Sequence, residues 1–221
     1  MTGYYDEKLA AERLRRCYEV APPAARRYLE AEIDHVAARV RPEHRILELG
    51  CGYGRALAPV VPLAGEAWGI DTSLASLRLA RRTLPAACRL ARMDATRLAF
   101  AGSAFDLVFC IQNGVSAFHT DPLDLAREAL RVARPGGRVL LSSYAESFWE
   151  DRLAWFRVQA EHCLLGTIDE HATGDGVIAC RDGFRATTFG LADFGRLAAA
   201  LGRDCDLEEV AGASLFCTLR A

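Results

Sequence analysis

Three alternating glycines are the residues of this sequence whose spacing points most directly to chemistry. Gly50, Gly52 and Gly54 follow the short apolar segment 45–49, and a predicted helix follows them. Because glycine has no Cβ, a flat polar ligand can approach the backbone of such a loop, and the first turn of the helix offers N–H groups. In a parallel sheet, ligands bind outside the carboxyl ends of the strands, where strand order reverses. The pattern therefore predicts a ligand-binding loop at that edge.

Two carboxylates lie close to this loop in the sequence. Asp71 follows the second predicted strand, 21 residues after Gly50, and its two oxygens can accept both hydroxyls of a ribose. The simpler alternative is that Asp71 caps the helix that begins near Ser73. Glu48 lies within the first strand, where it can meet an ammonium group directly or through water. A buried carboxylate without a partner is costly, so a ligand role is favoured for Glu48.

The elements that must position these residues alternate between strand and helix. Short apolar strands are predicted at 45–49, 67–70, 88–92, 105–111 and 138–143. Between them, a short or kinked helix follows the loop and further helices cover 73–84 and the residues after Pro122, where Leu123, Ala126, Leu130 and Ala133 would face the core. Alternation at this spacing indicates βαβ units and a mostly parallel sheet covered on both faces.

The two ends of the chain depart from that alternation. The first forty residues predict helices, the second with an apolar stripe of Leu29, Ile33, Val36 and Val40. After the fifth strand, residues 147–165 predict a helix, residues 177–189 a β-hairpin that turns at Asp-Gly, and the last thirty residues a helix and two strands.

Together these residues resemble class I S-adenosylmethionine-dependent methyltransferases, well over 44–144 and more loosely over the last thirty residues. Residues 46–55, ILELGCGYGR, resemble the family's first motif, which binds the methionine part of the cofactor. Gly69-Ile-Asp71 resembles the acidic ribose-binding position, and Met93-Asp94-Ala95 resembles the adenine site. Residues 105–113 are similar to the fourth strand and the turn that faces the methyl group, and residues 131–141 to the segment that enters the fifth strand.

The resemblance implies a three-layer, Rossmann-like α/β fold with a mostly parallel seven-stranded sheet and a reversed last strand. One domain is expected over 1–221: an N-terminal helical lid (1–43), a cofactor-binding core (44–144), a substrate-side insertion of a helix and a β-hairpin (145–190), and a last helix with two strands (191–221). The implied cofactor is S-adenosyl-L-methionine, with S-adenosyl-L-homocysteine as product. The residues expected to bind it are Glu48, Gly50, Cys51, Gly52, Gly54, Asp71, Thr72, Met93, Asp94, Ala95, Ile111 and Gln112.

Methyl transfer from a sulfonium needs alignment and exclusion of water more than covalent chemistry. His119, just after the fourth-strand turn, is the predicted catalytic base, because its ordinary pKa suits proton transfer near neutrality. The alternative is a surface histidine before a helix. The predicted substrate contacts are Tyr5, Tyr18, Asn113, Tyr144 and Arg152, whereas packing is favoured for the aromatic residues 149, 155 and 156.

Composition excludes several other classes. The 27 basic and 29 acidic side chains give a net charge of −2, which argues against binding to a phosphate backbone. The longest nearly apolar stretch, 56–65, is far shorter than the ~20 residues that cross a bilayer, and charges stand where a signal peptide needs apolar residues. The eight cysteines form no C-x-x-C pair, so no metal site is expected and the thiols are expected to be reduced.

These observations predict a cytoplasmic protein, a monomer or homodimer, that acts on a small molecule and binds neither nucleic acid nor membrane. Three alternatives remain open. The acceptor could be a thiol or a metalloid, or the protein could bind S-adenosylmethionine without catalysis. A nicotinamide oxidoreductase is disfavoured because Arg55 stands where the dinucleotide fingerprint has its third glycine. The 145–190 insertion could cover a pocket or form a dimer contact.

Overall fold

The structure, a computed structural model, describes residues 8–221; the predicted substrate contact Tyr5 lies outside this range. Its strands are β1 (Arg45–Leu49), β2 (Glu66–Asp71), β3 (Arg89–Arg92), β4 (Phe105–Cys110), β5 (Ala133–Tyr144), β6 (Val177–Ala179), β7 (Arg185–Thr187), β8 (Cys205–Val210) and β9 (Ser214–Arg220). Its α-helices are α1 (Ala11–Glu19), α2 (Pro23–Ala37), α3 (Leu57–Val60), α4 (Leu74–Thr83), α5 (Gly114–Ala117), α6 (Pro122–Val132), α7 (Trp149–Glu161) and α8 (Leu191–Leu201).

Seven strands form one sheet in the order β3-β2-β1-β4-β5-β9-β8. The contacts among β1 to β5 are parallel, and β9 pairs antiparallel with both β5 and β8. Strand order reverses between β1 and β4, so the ends of these two strands open a crevice at the carboxyl edge of the sheet. The predicted fold class is confirmed, including the reversed last strand.

The sheet is the middle of three layers, because alternate residues of the buried strands enter different cores. Leu47 and Val108 pack on one face with residues of α6 and α8. Ile46, Leu107 and Phe109 pack on the other face with residues of α2, α3 and α4. Every residue of β4 is buried, as expected of a central parallel strand that helices cover on both sides.

A third apolar cluster lies apart from the sheet faces and joins distant parts of the chain. It contains residues of α1 and α2, of α7 and of the hairpin β6–β7. Trp155 of α7 donates from its indole N–H to the carbonyl of Cys17 in α1, at 3.0 Å. The predicted N-terminal helices and the predicted helix and hairpin after β5 therefore pack against one another. The domain boundaries proposed above stay a prediction.

Helix α6 differs from its predicted orientation. Its fully buried residues are Leu125, Ala126, Ala129 and Val132, whereas Leu123 and Leu130 are only partly buried. The helix ends at Val132, and β5 begins at once with Ala133. Pairing of Ala133 with Phe105 of β4 extends the strand backwards, which no local pattern revealed.

No helix within 8–221 has the length and apolar character needed to cross a membrane. All eight cysteines carry free thiols.

Substitution of Phe216 in β9 tests how much the packing of α2 on the sheet contributes to the free energy of unfolding. This side chain is fully buried and stacks on His35 of α2 at a ring-centroid distance of 4.0 Å. We expect Phe216→Ala to lower the free energy of unfolding in urea by about 3–5 kcal/mol, because the cavity left behind cannot close completely. Leu207→Ala is the control, since Leu207 is exposed on the edge strand β8; equal losses in the two variants would contradict the packing described.

Candidate active site

A cavity of about 540 Å³ lies at the carboxyl edge of the sheet, under the N-terminal helices and α7. This volume is within the ordinary range for small-molecule sites. Its lining includes almost all residues that were predicted to bind the cofactor: Glu48, Gly50, Cys51, Gly52, Asp71, Thr72, Met93, Asp94, Ala95, Ile111 and Gln112. Gly54 does not line it.

The glycine loop is closely packed on two sides. Gly50, with φ +72°, lies directly under the ring of Phe118, and a Cβ there would collide with that ring. A Cβ on Gly52 would lie 3.2 Å from Leu14 of α1. At Gly54, with φ +86°, a Cβ would lie 2.6 Å from Leu84. The third glycine therefore lets the loop pack near the end of α4, while the first two face the cavity.

Asp71 connects the loop to the next helix. One carboxylate oxygen accepts from the backbone N–H of Gly52 at 2.8 Å, and the other accepts from the N–H of Ser73 at 2.7 Å. Ser73 is the capping residue of α4, since its hydroxyl accepts from the N–H of Ser76. Each carboxylate oxygen can accept more than one hydrogen bond, so these contacts leave acceptor capacity towards the cavity. The ribose role remains a prediction.

Asp94 is exposed on the loop after β3, beside the cavity. Its Oδ1 accepts from the backbone N–H and the hydroxyl of Thr96, at 2.8 and 2.7 Å. This local turn orients the carboxylate and leaves Oδ2 out of the two bonds. The arrangement suits acceptance of a hydrogen bond from an exocyclic amine, as predicted for this position.

Glu48 is a buried ionisable group of the cavity. It is buried at the end of β1, and among residues 8–221 its Oε2 has no hydrogen-bond partner. Burial raises the pKa of the Glu48 carboxyl to about 8, while the charge of Arg55 opposes the shift and the charge of Asp71 adds to it. A cationic hydrogen-bond donor in the cavity would remove this penalty.

The turn after β4 holds two consecutive residues in the left-handed region, Gln112 (φ +59°) and Asn113 (φ +62°). Such backbone is strained for residues other than glycine and persists only where its surroundings hold it. The N–H of Gln112 donates to the hydroxyl of Ser142 at 2.9 Å. The amide of Asn113 donates to the carbonyl of Thr187 and accepts from the hydroxyl of Ser143. These bonds fix the turn that Ile111 and Gln112 present to the cavity.

The predicted catalytic and substrate residues divide into two groups. His119, Tyr18 and Tyr144 line the cavity. Asn113 and Arg152 do not, and both side chains make hydrogen bonds within the protein. Arg152 is fully buried, donates to the carbonyl of Gly176 and the hydroxyl of Thr188, and lies with its guanidinium carbon 4.1 Å from the centre of the Tyr144 ring.

Several lining residues carry no signal in the sequence that marks them as part of a site. They come from α1, α2, α7 and the hairpin, and they include Leu14, Tyr28, Trp155, Phe156, Gln159 and Phe184. The packing interpretation of Trp155 and Phe156 holds, because both belong to the cluster that joins the N-terminal helices to α7. They also form the wall of the cavity, so one buried surface has both roles.

The residues present suit S-adenosylmethionine. The loop without side chains, the two acids at the ends of β2 and β3, and the unpartnered carboxyl of Glu48 offer sites for the amino acid, the ribose and the adenine. Aromatic faces, such as those of Phe118 and Trp155, also tolerate a sulfonium through cation–π attraction.

Comparisons with known proteins agree with this geometry. A family profile described as "Methyltransferase domain" matches residues 46–137. The chain is 27% identical over 148 residues to 2-methyl-6-phytyl-1,4-hydroquinone methyltransferase of Synechocystis, which covers 58% of this chain and 46% of that protein. It is 31% identical over 120 residues to demethylmenaquinone methyltransferase of Renibacterium salmoninarum, covering 54% and 48%. The chain thus spans about half the length of these curated relatives.

One solved structure shares the fold over nearly the whole chain. It is CalS10, an amino pentose methyltransferase of Micromonospora echinaspora with S-adenosylmethionine bound. The TM-score is 0.62, the identity is 20%, and the match covers 97% of this chain and 99% of CalS10.

The raised pKa of Glu48 predicts that binding depends on pH. The carboxyl is mostly protonated below about pH 8, so a ligand ammonium must displace its proton. We expect the affinity for S-adenosylhomocysteine, measured by calorimetry, to rise by up to about tenfold per pH unit between about pH 6 and pH 8. Glu48→Gln should bind more weakly and without this dependence. An equal pH dependence in the variant would assign the proton to another group.

Proposed function

We propose that this chain, a member of the class I S-adenosylmethionine-dependent methyltransferase superfamily, transfers a methyl group from its cofactor to a small-molecule nucleophile by in-line displacement. The observation that carries the proposal is the meeting of the glycine loop with Glu48, Asp71 and Asp94 in one cavity at the carboxyl ends of β1, β2 and β3. These side chains lie at or just after the ends of three different strands, and a ligand as long as an amino-acid-bearing nucleoside could contact all of them.

The rest of the cavity supports an acceptor beside the cofactor. When bound, S-adenosylmethionine supplies an electrophilic methyl group on a sulfonium. The side chains of α1, α2, α7 and the hairpin enclose the rest of the cavity with apolar and aromatic surface, including Trp155, Phe156 and Phe184. Such an enclosure excludes water and holds the nucleophile in line with the methyl group, which is most of what this reaction needs. The acceptor atom then bonds to the methyl carbon as the carbon–sulfur bond breaks, leaving S-adenosylhomocysteine.

For the acceptor, a planar ring without positive charge fits best. The two curated relatives are named for a hydroquinone and a demethylmenaquinone, both ring compounds. Aromatic side chains of this cavity offer faces for a ring to pack on. Arg55 lies over Tyr18 and Arg152 lies over Tyr144, at 4.6 and 4.1 Å. The Arg152 guanidinium beside the Tyr144 ring disfavours a cationic amine as acceptor.

His119 is the proposed base for an acceptor that arrives protonated. It is exposed at the cavity surface, beside Phe118, in left-handed backbone with φ +52°. Its imidazole would take the proton that the acceptor loses as the new bond forms.

The role of His119 has a direct test. We expect His119→Ala to lower turnover by about 10²-fold or more, because general-base catalysis contributes on this scale, while the affinity for S-adenosylhomocysteine stays within about twofold. His162→Ala is the matched control, since His162 is exposed and does not line the cavity. Unchanged turnover in His119→Ala would remove His119 from the mechanism.

The activity itself is tested by incubating the protein with methyl-labelled S-adenosylmethionine and fractionated cell metabolites. We expect label in a fraction that contains ring compounds. Label in a thiol or metalloid fraction would support that alternative acceptor instead. Tight binding of S-adenosylmethionine with no labelled fraction would indicate a binding protein without catalysis, and binding of NAD in its place would contradict the proposal.

A further inference from the structure

Five side chains of the cavity lining carry buried polar atoms without a hydrogen-bond partner within residues 8–221: Tyr28, Glu48, Arg55, Gln112 and Thr120. Tyr28 and Thr120 carry neutral hydroxyls, whereas Glu48, Arg55 and Gln112 carry charged or amide groups. Among residues 8–221, no hydrogen-bond acceptor meets Nε or Nη2 of Arg55 or Nε2 of Gln112, and no donor meets Oε2 of Glu48. All three side chains line the same cavity. An unsatisfied buried group costs about 1–3 kcal/mol, and more when it is charged, so this concentration of them at one place indicates a polar ligand.

Arg55 is held close to the two acids without bonding to either. It is the first residue after the glycine loop, and its guanidinium carbon lies 4.6 Å from the centre of the Tyr18 ring of α1. Burial raises the pKa of Glu32 to about 7 and that of Glu48 to about 8, and the charge of Arg55 opposes both shifts. Within the described chain, neither acid lies within ion-pair distance of Arg55.

One oxygen of Glu32 has partners in the protein, and its Oε2 has none within residues 8–221. Its Oε1 accepts from the hydroxyls of Ser142 and Ser214, at 2.5 and 2.6 Å. Glu32 is not part of the cavity lining, and the backbone N–H of Gln112 contacts its carboxyl. Because neither Glu32 nor Glu48 lies within ion-pair distance of Arg55, its N–H groups that face no partner remain available to a ligand.

The unpartnered donors of Arg55 and Gln112 and the unpartnered acceptor of Glu48 require opposite charges on the ligand. The planar fork of a guanidinium matches a carboxylate, and the amide N–H of Gln112 adds a further donor of the same kind. The carboxyl of Glu48 instead requires a donor, and an ammonium is the strongest. A carboxylate and an ammonium close together are the functional groups of an α-amino acid.

We propose that the side chains of Arg55 and Gln112 bind the carboxylate of the cofactor's methionine moiety while Glu48 accepts from its ammonium group. This inference rests on the proposed function, since it takes S-adenosylmethionine as the ligand. Tyr18 is a positioning residue, because its ring holds the guanidinium. It comes from α1, outside the segment 46–137 that matches the family profile, so the N-terminal helices complete the cofactor site.

Binding of three probes tests the assignment without any measurement of activity. S-adenosylhomocysteine carries the whole amino acid, decarboxylated S-adenosylmethionine lacks the carboxylate, and methylthioadenosine lacks both charged groups. We expect Arg55→Met to weaken S-adenosylhomocysteine about 10- to 100-fold by calorimetry, the loss typical of a charge-assisted hydrogen bond, and to leave the other two probes within about twofold. Arg55→Lys should recover part of the affinity, because it keeps the charge but not the fork.

Two further variants separate the partners. Glu48→Gln should weaken both amine-bearing probes and spare methylthioadenosine. Tyr18→Leu should weaken S-adenosylhomocysteine by about 2- to 10-fold, the size of a cation–π contact, without changing methylthioadenosine. Arg39→Met is the matched control, since Arg39 is also partly buried but pairs with Glu208 away from the cavity.

The outcomes that overturn the inference differ from the one that overturns the function. Equal weakening of all three probes by Arg55→Met would show that Arg55 supports the fold only. Unchanged binding of S-adenosylhomocysteine in that variant would show that its carboxylate lies elsewhere. Failure of the unmodified protein to bind any of the probes would instead contradict the proposed function.

Discussion

Burial of the Glu48 carboxyl at the end of β1 is the constraint around which the site is built. Ionising this group in the interior is costly, which is why its pKa rises to about 8. The same strand cannot move to expose it, because β1 is paired with β2 on one side and β4 on the other. The protein therefore keeps a destabilising buried carboxyl in a central strand of the sheet, where it lines the cavity.

The positive charge that offsets this acid is itself held by distant parts of the chain. Arg55 follows the glycine loop, and its guanidinium lies over the ring of Tyr18 in α1. Burial raises the pKa of Glu32 in α2, and the charge of Arg55 opposes that shift. Glu32 in turn bonds Ser142 of β5 and Ser214 of β9. Through these contacts the N-terminal helices contribute to the proposed cofactor site and also line the cavity.

The cover and the sheet are also joined at the turn after β4. Gln112 and Asn113 adopt left-handed backbone, and hydrogen bonds from two directions hold it. Asn113 bonds Thr187 of the hairpin, and the hydroxyl of Ser143 accepts from the N–H of Phe189 while donating to Asn113. The hairpin thus helps to hold the turn whose residues Ile111 and Gln112 line the cavity.

The sequence alone determined the layered fold and the part of the site at the ends of β1, β2 and β3. The apolar runs along 45–144, and the Gly, Pro and polar residues between them, predict the strands. Gly50, Gly52, Asp71 and Asp94 are recognisable because each follows a predicted strand and so lies at the carboxyl edge of the sheet. These features are local, so they survive in a linear pattern. For the same reason the sequence showed only what Arg55 excludes, which is a dinucleotide fingerprint. Residues of α1 and α2 lie near Arg55 in space but far from it in the chain, so the sequence did not reveal them.

Only the tertiary structure decided what encloses the cavity and which polar groups remain unmet there. Tyr28, Gln159 and Phe184 lie in segments whose patterns indicate ordinary packing, and they reach the site because α2, α7 and the hairpin cluster around it. Asn113 and Arg152 show the reverse, since both have polar groups suited to a substrate but use them on Thr187, Gly176 and the protein interior. Hydrogen-bond satisfaction is a property of three-dimensional neighbours, and no one-dimensional spacing specifies those neighbours.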